Sequence, residues 1–511
     1  MSEQEDRELR IKLVDELRKS GVEPFAYKYE RTHTTAELSE KYAKLKPEEK
    51  KEKDKVKVAG RLRSLRGHGK VVFADLEDQS GRIQLFVAAD ALKDFETFKT
   101  KLNIGDIIGA EGYPLKTRRG ELSIFVKKFD LLTKALRPLP SEWYGLKDTQ
   151  TRYRRRYLDL IMNPSTRDVF KKRSEIINAL REYFVKDGYV EVTTPTLQPV
   201  YGGANARPFI THHNTLDMDM YLRISDEMYL KRLIVGGFEK VFEFCMDFRN
   251  EGIDTKHNPE FCLFEAQTAY TDYEDCMKLI ETSIEYAAKK AVGKTKVKYG
   301  EHTLEFKAPW AKMTVTESVK KHVGIDPEKS SLEELEQFCR DNKLEVVGKV
   351  SKGELMAAIF EEMVESKLIQ PTHIYDYPRE VSPLAKTSRK NPDYTERFES
   401  YVMGMELTNN YSEINDPIDL KQRLETEMGR GKDGDEEAHP MDQDFIDAME
   451  YGFPPTGGIG IGIDRLVMLL TDSHSIRDVI LFPILREEGK ATKGDELFGD
   501  EVKDTVLKHK K

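Results

Sequence analysis

Two stretches, VFEFCMDFRNE at residues 241–251 and FCLFEAQTAY at residues 261–270, decide the fold of this chain. Apolar and polar side chains alternate along the first, which is the period of a strand with one core face and one polar face, and in the second Phe261, Leu263, Glu265 and Gln267 share a face. The loop between them begins at Gly252 and ends at Pro259, both turn-forming residues. The sequence therefore predicts a long antiparallel hairpin whose wet face presents Arg249 and several acids.

A second informative stretch, GGIGIGIDRLVML at residues 457–469, predicts a glycine-rich strand with Arg465 after it. Glycines on alternate positions let a strand backbone approach a ligand closely. Tight packing of the strand against its neighbours explains the same glycines, and the stretch read alone leaves both interpretations open.

Together these stretches resemble the signature motifs of class II aminoacyl-tRNA synthetases. FRNEG followed by HNPEF resembles the second motif, the glycine strand with Arg465 resembles the third, and the long helix predicted at residues 168–186 with the strand-like residues 189–193 resembles the first. GGANARPF at residues 202–209 and ELTNNYSE at residues 406–413 extend the resemblance to the class II lysyl-tRNA synthetases, over about residues 7–485. In that family the first motif forms the interface of a homodimer.

The resemblance implies a reaction that joins the lysine carboxylate to the α-phosphorus of ATP and then passes lysine to the 3'-end of tRNA(Lys). Because both reactants are anionic, such a site needs cations and precise positioning. The resemblance names Arg249, Glu251 and Arg465 as catalytic residues. The implied ATP site consists of Arg249, Glu251, His257, Asn258, Phe261, Glu399, Glu406, Gly462 and Arg465.

Magnesium is the implied cofactor, with Glu399 and Glu406 as its ligands, since this ion prefers carboxylate oxygens. The two glutamates lie seven residues apart, so a regular strand would place them on opposite faces. We therefore predict a bulge or other irregularity near Gly404 that turns both toward the same side.

The implied lysine pocket must hold an ammonium group at the end of a flexible stem, a task suited to buried acids. Its expected residues are Gly203, Glu227, Glu265, Gln267, Asn409, Tyr411 and Glu413. Gln267 stands where the family usually has tyrosine, and its amide oxygen can accept a hydrogen bond from the ammonium. Tyr201 also replaces an expected proline, a change that the sequence does not explain.

Upstream, five short strand patterns lie in residues 56–132, with a helix-like stretch at residues 89–102 after the third. This order is compatible with a small barrel of the OB type, a scaffold for single-stranded nucleic acid, and the resemblance implies the same fold. It also implies an anticodon site made by Arg61, Phe73, Gln84 and Glu121. From the strand pattern alone, Phe73 is better explained as a core residue.

The expected fold class is α+β, with an N-terminal OB-fold barrel followed by a catalytic domain built on an antiparallel sheet flanked by helices. Residues 7–19 predict an amphipathic helix with Leu9, Leu13, Val14 and Leu17 on one stripe. The lysine-rich residues 44–57 read as an exposed linker or, alternatively, as a weak contact to the RNA backbone. The expected domains are residues 1–54 (helix and linker), 55–134 (barrel), 135–150 (hinge), 151–490 (catalytic domain with an insertion around 290–380) and 491–511 (charged tail).

Composition limits the possible classes of protein. A chain of 511 residues allows about three domains at roughly 150 residues each, and 39% hydrophobic residues exclude wholesale disorder. All apolar runs are far shorter than the roughly 18 residues that a membrane span needs, and the start of the sequence has no signal-peptide pattern, so we expect a cytoplasmic protein with no membrane span. A net charge of −9 means that any RNA site must be a local patch. The four scattered cysteines are expected to be reduced core residues, and the acidic residues 433–437 a solvated insertion.

Several rival functions remain to be weighed. Aspartyl- and asparaginyl-tRNA synthetases share the barrel and the core, but their anionic or neutral substrates do not suit three glutamates. A paralogue that transfers lysine to a protein normally lacks the barrel. A catalytically silent RNA-binding or scaffold protein would not require Arg249, Glu251, Glu399, Glu406 and Arg465 together. Synthesis of dinucleoside polyphosphates is a possible side activity of the family that the sequence does not decide.

Overall fold

The computed structural model describes residues 2–140, 146–344, 350–432 and 440–486. The chain forms two compact units, Met1–Lys147 and Asp148–Lys511. The expected hinge at residues 135–150 spans this division, and part of it lies outside the described residues, as do the expected acidic insertion at residues 433–437 and the charged tail at residues 491–511.

The first unit is built around a closed five-stranded barrel with strand order β1, β2, β3, β5, β4, in which β4 also pairs with β1. The expected helix follows the third strand. Alternate apolar side chains of the strands fill the barrel interior, as the strand period requires. Its elements are α1 (Glu3–Lys19), α2 (Thr35–Lys41), β1 (Val56–His68), β2 (Val71–Glu77), β3 (Arg82–Ala88), α3 (Phe95–Lys101), β4 (Ile107–Lys116) and β5 (Leu122–Thr133).

The N-terminal helix α1 packs against this unit through Val14 and Leu17, which are buried as predicted. Leu9 does not belong to the buried stripe, since 51% of it is exposed. Arg10 takes the buried position instead, and its guanidinium donates to the carbonyl oxygen of Ala135 at 3.1 Å. The helix therefore docks partly through a polar contact that hydrophobic periodicity does not reveal.

The lysine-rich residues 44–57 are mostly exposed, as expected, but they are not a linker separate from the barrel. The amide of Lys51 donates to the carbonyl oxygen of Pro114 at 2.9 Å, and Lys50 forms an isolated bridge with Leu115 on β4. Leu45 is buried in the same core as the barrel strands. This segment is part of the first unit, because its backbone hydrogen bonds are made to β4 rather than to solvent.

The second unit contains an eight-stranded sheet with strand order β14, β15, β16, β17, β18, β11, β10, β6. The strands of the second unit, which include those of a three-stranded sheet (β7, β9, β8) and a two-stranded sheet (β12, β13), are β6 (Val190–Glu191), β7 (Leu197–Gln198), β8 (Ile210–His213), β9 (Met218–Leu222), β10 (Lys240–Phe248), β11 (Glu260–Ala269), β12 (Lys296–Tyr299), β13 (His302–Glu305), β14 (Ala311–Thr314), β15 (Thr372–Pro378), β16 (Tyr394–Val402), β17 (Met405–Ser412) and β18 (Thr456–Gly462). The strands from β15 to β10 in this order pair antiparallel, while the outer β14 and β6 pair parallel with their neighbours.

Helices cover this sheet and its ends. They are α4 (Thr149–Arg154), α5 (Arg156–Met162), α6 (Pro164–Lys186), α7 (Glu227–Val235), α8 (Tyr273–Val292), α9 (Val315–His322), α10 (Leu332–Asp341), α11 (Lys352–Met363), α12 (Pro417–Lys432), α13 (Gln443–Glu450), α14 (Ile463–Thr471) and α15 (Ile476–Val479), with 3₁₀ turns at Glu365–Lys367 and Arg379–Val381. The largest apolar core lies between the sheet and helices α6, α8 and α14. These features confirm the expected α+β class.

The region expected as an insertion, residues 290–380, has two parts. Helices α9, α10 and α11 form a separate apolar core that includes Val319, Leu335 and Phe360. Strands β14 and β15 from the same region extend the main sheet. Among the described residues, no helix combines the length and the apolarity that crossing a lipid bilayer requires.

Candidate active site

One cavity of about 680 Å³ lies over the central strands of the sheet and is lined by all the residues expected for ATP, lysine and magnesium. The residues that the structure brings together are Gly203, Glu227, Arg249, Glu251, His257, Asn258, Phe261, Glu265, Gln267, Glu399, Glu406, Asn409, Tyr411, Glu413, Gly462 and Arg465. They come from six separate parts of the chain, so the fold supplies the proximity that sequence spacing does not.

Strand β18 forms the floor of this cavity, and its glycines lie between pocket residues of the two neighbouring strands, β11 and β17. Gly460 lies between Glu265 on β11 and Asn409 on β17 in the strand register. Gly458 lies between Gln267 and Tyr411 in the same way. A Cβ atom on Gly458 would lie 1.9 Å from Oε1 of Glu413, so the space above this strand is needed by the pocket side chains.

The hairpin of β10 and β11 follows the predicted strand pairing, but its polar face is not wet. Opposite residues include Cys245 with Leu263 and Asp247 with Phe261. Glu243, Cys245 and Asp247 are all buried, with exposed fractions of 3% or less. This corrects the expectation of a solvated face: the acids of β10 share a sheet face with the cavity-lining Phe261 and Leu263 of β11 but are themselves buried.

The buried side chains beside the cavity include several acids. Ligand atoms of Asp226, Cys245 and Asp247 all lie within 4.8 Å of one another. The Cys245 thiol donates to Oδ1 of Asp226 at 3.3 Å, and Nε of Arg223 lies 3.3 Å from Oδ1 of Asp247. Burial raises the pKa of Asp226 to about 6 and that of Asp247 to about 7. At Asp247 the charges of Arg249 and Arg223 oppose this rise in pKa. All four cysteines are free and buried, as expected.

The basic end of the cavity contains Arg249 and Arg465. The Arg249 guanidinium lies 5.1 Å from the centre of the Phe261 ring, and its buried Nε has no hydrogen-bond partner among the described residues. Nη1 of Arg465 donates to the backbone carbonyl of Glu406 at 2.6 Å. Both guanidinium groups border the cavity, where planar donor forks suit phosphate and carboxylate oxygens.

His257 connects this end to the loop of the hairpin. Its Nε2 lies 3.0 Å from Nη2 of Arg465, and its Nδ1 lies 2.8 Å from Oδ2 of Asp254. Burial alone would raise the pKa of Asp254, but hydrogen bonds from His257 and from the amide of Lys256 lower it to about 2. Asp254 is therefore an anion that fixes the His257 ring beside Arg465.

Glu399 and Glu406 reach the same cavity because β17 contains the predicted irregularity. Ser400 pairs with Thr408, but the next residue, Tyr401, pairs with Glu406, which leaves Leu407 as the extra residue of a bulge. The bulge lies three residues beyond the predicted position, Gly404, which has a positive φ of 62° in the turn between the strands. The prediction of an irregularity between the two glutamates is thus confirmed.

A set of residues that the sequence did not indicate surrounds Glu399. Its carboxylate accepts from the Tyr377 hydroxyl at 2.9 Å and also from Tyr401 and Arg397. The only signal for Arg397 is its position two residues before Glu399 on the same strand face.

Helix α11 and the turn after it add Glu361, Glu362 and Glu365 to the group of acids around Glu399. Burial and the charges of Glu399 and Glu406 raise the pKa of Glu365 to about 8. Burial and the charge of Glu399 likewise raise the pKa of Glu406. Clustered carboxylate oxygens at the side of a cavity form a donor set that fits a hard divalent cation such as Mg²⁺.

The other end of the cavity holds the glutamates expected to bind lysine. Ser225 Oγ donates to Oε1 of Glu265 at 3.0 Å, and burial together with the charge of Asp226 raises the pKa of Glu265 well above its ordinary value. The Gln267 amide nitrogen donates to Oε1 of Glu413 at 3.0 Å. Asn409 Oδ1 is buried and has no hydrogen-bond partner among the described residues.

Lys231 is a further residue that the sequence analysis missed. Its ammonium is buried, forms an ion pair with Glu227 one helical turn earlier on α7, and lies 2.5 Å from Oε2 of Glu413. The spacing of four residues from Glu227 is the signal that could have indicated the first pair. The pair with Glu413 depends on the tertiary fold.

The residues expected to bind the anticodon lie on the outer face of the barrel unit. The Phe73 ring lies 5.1 Å from that of Phe86, and Oε1 of Gln84 accepts from Ser123 Oγ at 2.9 Å, close to the exposed Glu121. Arg61 is set apart from this group, since it pairs with Glu77 in the strand register and donates to the Gly105 carbonyl at 2.8 Å. Arg66, not Arg61, lies opposite Phe73.

Comparisons with known proteins agree with this arrangement. A family model described as "tRNA synthetases class II (D, K and N)" matches residues 148–486, and one described as "OB-fold nucleic acid binding domain" matches residues 56–132. A lysine–tRNA ligase of Moorella thermoacetica is 49% identical over 481 residues, which cover 94% of this chain and 97% of the relative. Lysine–tRNA ligases of Clostridium perfringens strain SM101 and Methanoculleus marisnigri are 50% and 48% identical, covering 96% and 95% of this chain and 97% and 96% of the relatives.

Proposed function

The chain belongs to the tRNA synthetases class II (D, K and N), and we propose that it acts within this family as a lysine–tRNA ligase. The observation that carries this proposal is the division of one cavity into a basic end, with Arg249 and Arg465, and an acidic end, with Glu227, Glu265 and Glu413. Anionic ATP and a cationic amino acid side chain are the complementary ligands of such a cavity.

The chemistry follows from this placement of charge. The lysine carboxylate attacks the α-phosphorus of ATP, a lysyl-adenylate forms, and pyrophosphate leaves. Arg249 holds the carboxylate and α-phosphate together, Phe261 supports the adenine, and Arg465 with His257 holds the polyphosphate. Two anions repel each other in water, so fixed guanidinium groups both lower that repulsion and set the reacting geometry. Glu251 and Asn258 complete the proposed ATP site.

Magnesium is the proposed cofactor, held by Glu399 and Glu406 beside the polyphosphate. When bound, it would neutralise negative charge on the phosphate oxygens of ATP and of the leaving pyrophosphate. The residues of the chain orient this end of the site: Tyr377 and Arg397 fix the Glu399 carboxylate, and the bulge at Leu407 turns Glu406 toward it.

Lysine is proposed to lie with its ammonium groups among Glu227, Glu265 and Glu413 and with its α-carbon near Gly203. The side-chain oxygens of Gln267 and Asn409 are buried, lack hydrogen-bond partners among the described residues and line the cavity. Each can accept from an ammonium N–H. This arrangement disfavours aspartate and asparagine, because an anionic side chain would face three carboxylates and a neutral one would leave them uncompensated.

The second step transfers lysine to the terminal ribose of tRNA(Lys). For the barrel we propose anticodon recognition by Phe73, Gln84 and Glu121, supported by the aromatic ring beside polar side chains on an outer strand face. A homodimer through α6 and the strands that follow is also proposed. The exposed apolar side chains of Val185, Val190 and Leu197 support it. We further propose a cytoplasmic location.

Exchange of labelled pyrophosphate into ATP tests the proposal. Wild-type protein is assayed without tRNA against all twenty amino acids and ornithine, with the Arg249→Ala variant as the inactive control. Exchange that depends on lysine and is lost in the variant is the expected result. Exchange with a different amino acid would reject the lysine assignment, and exchange with none would favour a silent RNA-binding protein.

A further inference from the structure

The lysine pocket contains an ammonium group of its own. Lys231 on α7 is 1% exposed, and its Nζ contacts Glu227 on the same helix and Oε2 of Glu413 beyond β17. Both glutamates line the cavity in which we propose that lysine binds. Two buried carboxylates that share one ammonium are stabilised by that cation, since like charges in a medium of low dielectric constant repel strongly.

The charges of the pocket explain why this cation has a consequence for the substrate. Glu227, Glu265 and Glu413 carry three negative charges when ionised, and Lys231 reduces the total to two. Free lysine presents two ammonium groups to the pocket, while its carboxylate belongs at the basic end near Arg249. Among these four side chains and the two ammonium groups of the substrate, the charges therefore balance with Lys231 in place, and without it one buried negative charge is left over.

The contacts also divide the glutamates into two kinds. Glu413 is already engaged by Lys231 and by the Gln267 amide, and Glu227 is engaged by Lys231. Glu265 receives a hydrogen bond from the neutral Ser225 hydroxyl, and no ion pair with a basic side chain is found for it among the described residues. Of the three glutamates, Glu265 is thus the one whose charge awaits a cation from the substrate.

We propose that Lys231 is a positioning and specificity residue of the lysine pocket: its fixed ammonium bridges the Glu227 and Glu413 carboxylates and sets the pocket charge to match a dicationic substrate. This inference rests on the proposed lysine–tRNA ligase function. It extends that function, because Lys231 acts on the substrate only through the two glutamates.

Groups on every surrounding element determine how the pocket titrates. Glu413 is faced by Glu227 and Lys231 on α7, Gln267 on β11, Tyr411 on β17 and Cys276 on α8. Although burial alone would lower it, the two carboxylates raise the pKa of Lys231 above its ordinary value, so this side chain is a permanent cation. Removal of its charge leaves the Glu413 carboxylate without this cation.

Chemical rescue provides the test. The Lys231→Ala variant is assayed for lysine-dependent pyrophosphate exchange with and without propylammonium, which replaces the atoms removed, and with propanol as the uncharged control. We expect the KM for lysine to rise about tenfold or more, with the KM for ATP unchanged, and to fall again with propylammonium alone. The KM for lysine in the variant should also depend more steeply on pH, since a proton must then leave the glutamates.

Controls separate this role from a structural one. Lys231→Met fills the space without charge and should reproduce the high KM for lysine while it stays folded, because an apolar isostere tolerates burial. Lys278→Ala removes an exposed lysine of α8 and should match the wild type.

Equal rescue by propylammonium and propanol, or a wild-type KM for lysine in Lys231→Met, would overturn the proposal. If the wild type itself shows no lysine-dependent exchange, the proposed function fails instead. The role of the Lys231 ammonium between Glu227 and Glu413 is then tested by the thermal stability of Lys231→Ala, which propylammonium should raise and propanol should not.

Discussion

The side-chain amide of Gln267 is oriented by Glu413: its nitrogen donates to Oε1 of that glutamate at 3.0 Å, and its oxygen is buried without a hydrogen-bond partner among the described residues. A buried acceptor without a donor costs free energy. An incoming ammonium N–H supplies that donor, so substrate binding relieves the cost.

Replacement of Gln267 by leucine should therefore weaken lysine binding. The variant keeps similar volume but removes both the donor to Glu413 and the free acceptor. We expect the KM for lysine in pyrophosphate exchange to rise about tenfold, as the loss of one charge-assisted hydrogen bond implies, with the KM for ATP unchanged. An unchanged KM for lysine would show that the amide does not contact the substrate. The Gln267→Tyr variant tests in parallel whether the tyrosine usual in the family performs the same role.

Substitution of Gly458 by alanine should disturb the same two side chains from below. Its new Cβ would lie 1.9 Å from Oε1 of Glu413 and 2.7 Å from the Gln267 amide nitrogen, so both must move. Gly460→Ala is the matched control on the same strand, because its Cβ meets only the Asn409 carbonyl oxygen, at 3.3 Å.

For Gly458→Ala we expect a loss of lysine-dependent exchange of about tenfold or more, and for Gly460→Ala a clearly smaller loss. Measurement of kcat/KM for lysine in both variants, with circular dichroism to verify folding, decides this. Equal losses in two folded variants would mean that Glu413 is not displaced as its position indicates.

Lysine affinity should increase with pH. Burial raises the pKa of Glu413 to about 7, against the opposing effect of the Lys231 ammonium, and raises the pKa of Glu265 well above its ordinary value. A protonated carboxyl group cannot pair with an ammonium, so lysine must displace a proton whenever the pH lies below the raised pKa.

We expect kcat/KM for lysine to rise between about pH 6 and 8, by up to about tenfold per unit when one proton is released. Calorimetry in buffers of different ionisation enthalpy measures the proton released on binding. A profile that falls over this range, or proton uptake on binding, would contradict the pKa directions given by burial.

Glu406 should control the magnesium requirement. Its carboxylate lies 3.6 Å from Arg465 and beside Glu399, and burial raises its pKa, so it lacks enough local positive charge without a metal ion. We expect Glu406→Gln to raise the Mg²⁺ concentration for half-maximal exchange by about tenfold, because one anionic ligand is lost. Glu450→Gln, at an exposed position on α13, is the control. The same Mg²⁺ dependence in both variants would exclude Glu406 as a ligand.

The strongly periodic parts of the fold could be predicted from the sequence. The alternation around Phe244 and the face shared by Leu263 and Glu265 identified the hairpin. The separation of seven residues between Glu399 and Glu406 correctly indicated a bulge. Both predictions follow from the two-residue period of a strand, which depends only on local geometry.

The buried charges could not be predicted in the same way. Lys231 and Asp247 are buried and Arg397 is half-buried, although these residue types are usually exposed; only the tertiary fold supplies the partners that permit this. The same reason explains the N-terminal segment, where Arg10 is buried and Leu9 is exposed because backbone carbonyls of a distant loop accept from the guanidinium. Periodicity identifies which face is apolar, but it does not identify which polar side chain finds a partner.

The barrel should affect tRNA charging without affecting amino acid activation. Phe73 lies on an outer strand face with its ring against Phe86, and Arg66 lies opposite it in the strand register. Loss of one base-stacking ring costs about 1–3 kcal/mol, so Phe73→Ala should raise the KM for tRNA(Lys) about tenfold or more while pyrophosphate exchange stays at the wild-type rate.

Arg61→Ala and Arg66→Ala are compared in the same assay. The Arg61 guanidinium donates to the Gly105 carbonyl, and the Arg61 backbone lies opposite a different part of β2. We expect Arg66→Ala to weaken aminoacylation more than Arg61→Ala, since only Arg66 lies beside the stacking ring. A larger loss in Arg61→Ala would support Arg61, the residue expected from the sequence, as the RNA contact. A loss of pyrophosphate exchange in Phe73→Ala would mean that this barrel residue acts through folding rather than through RNA.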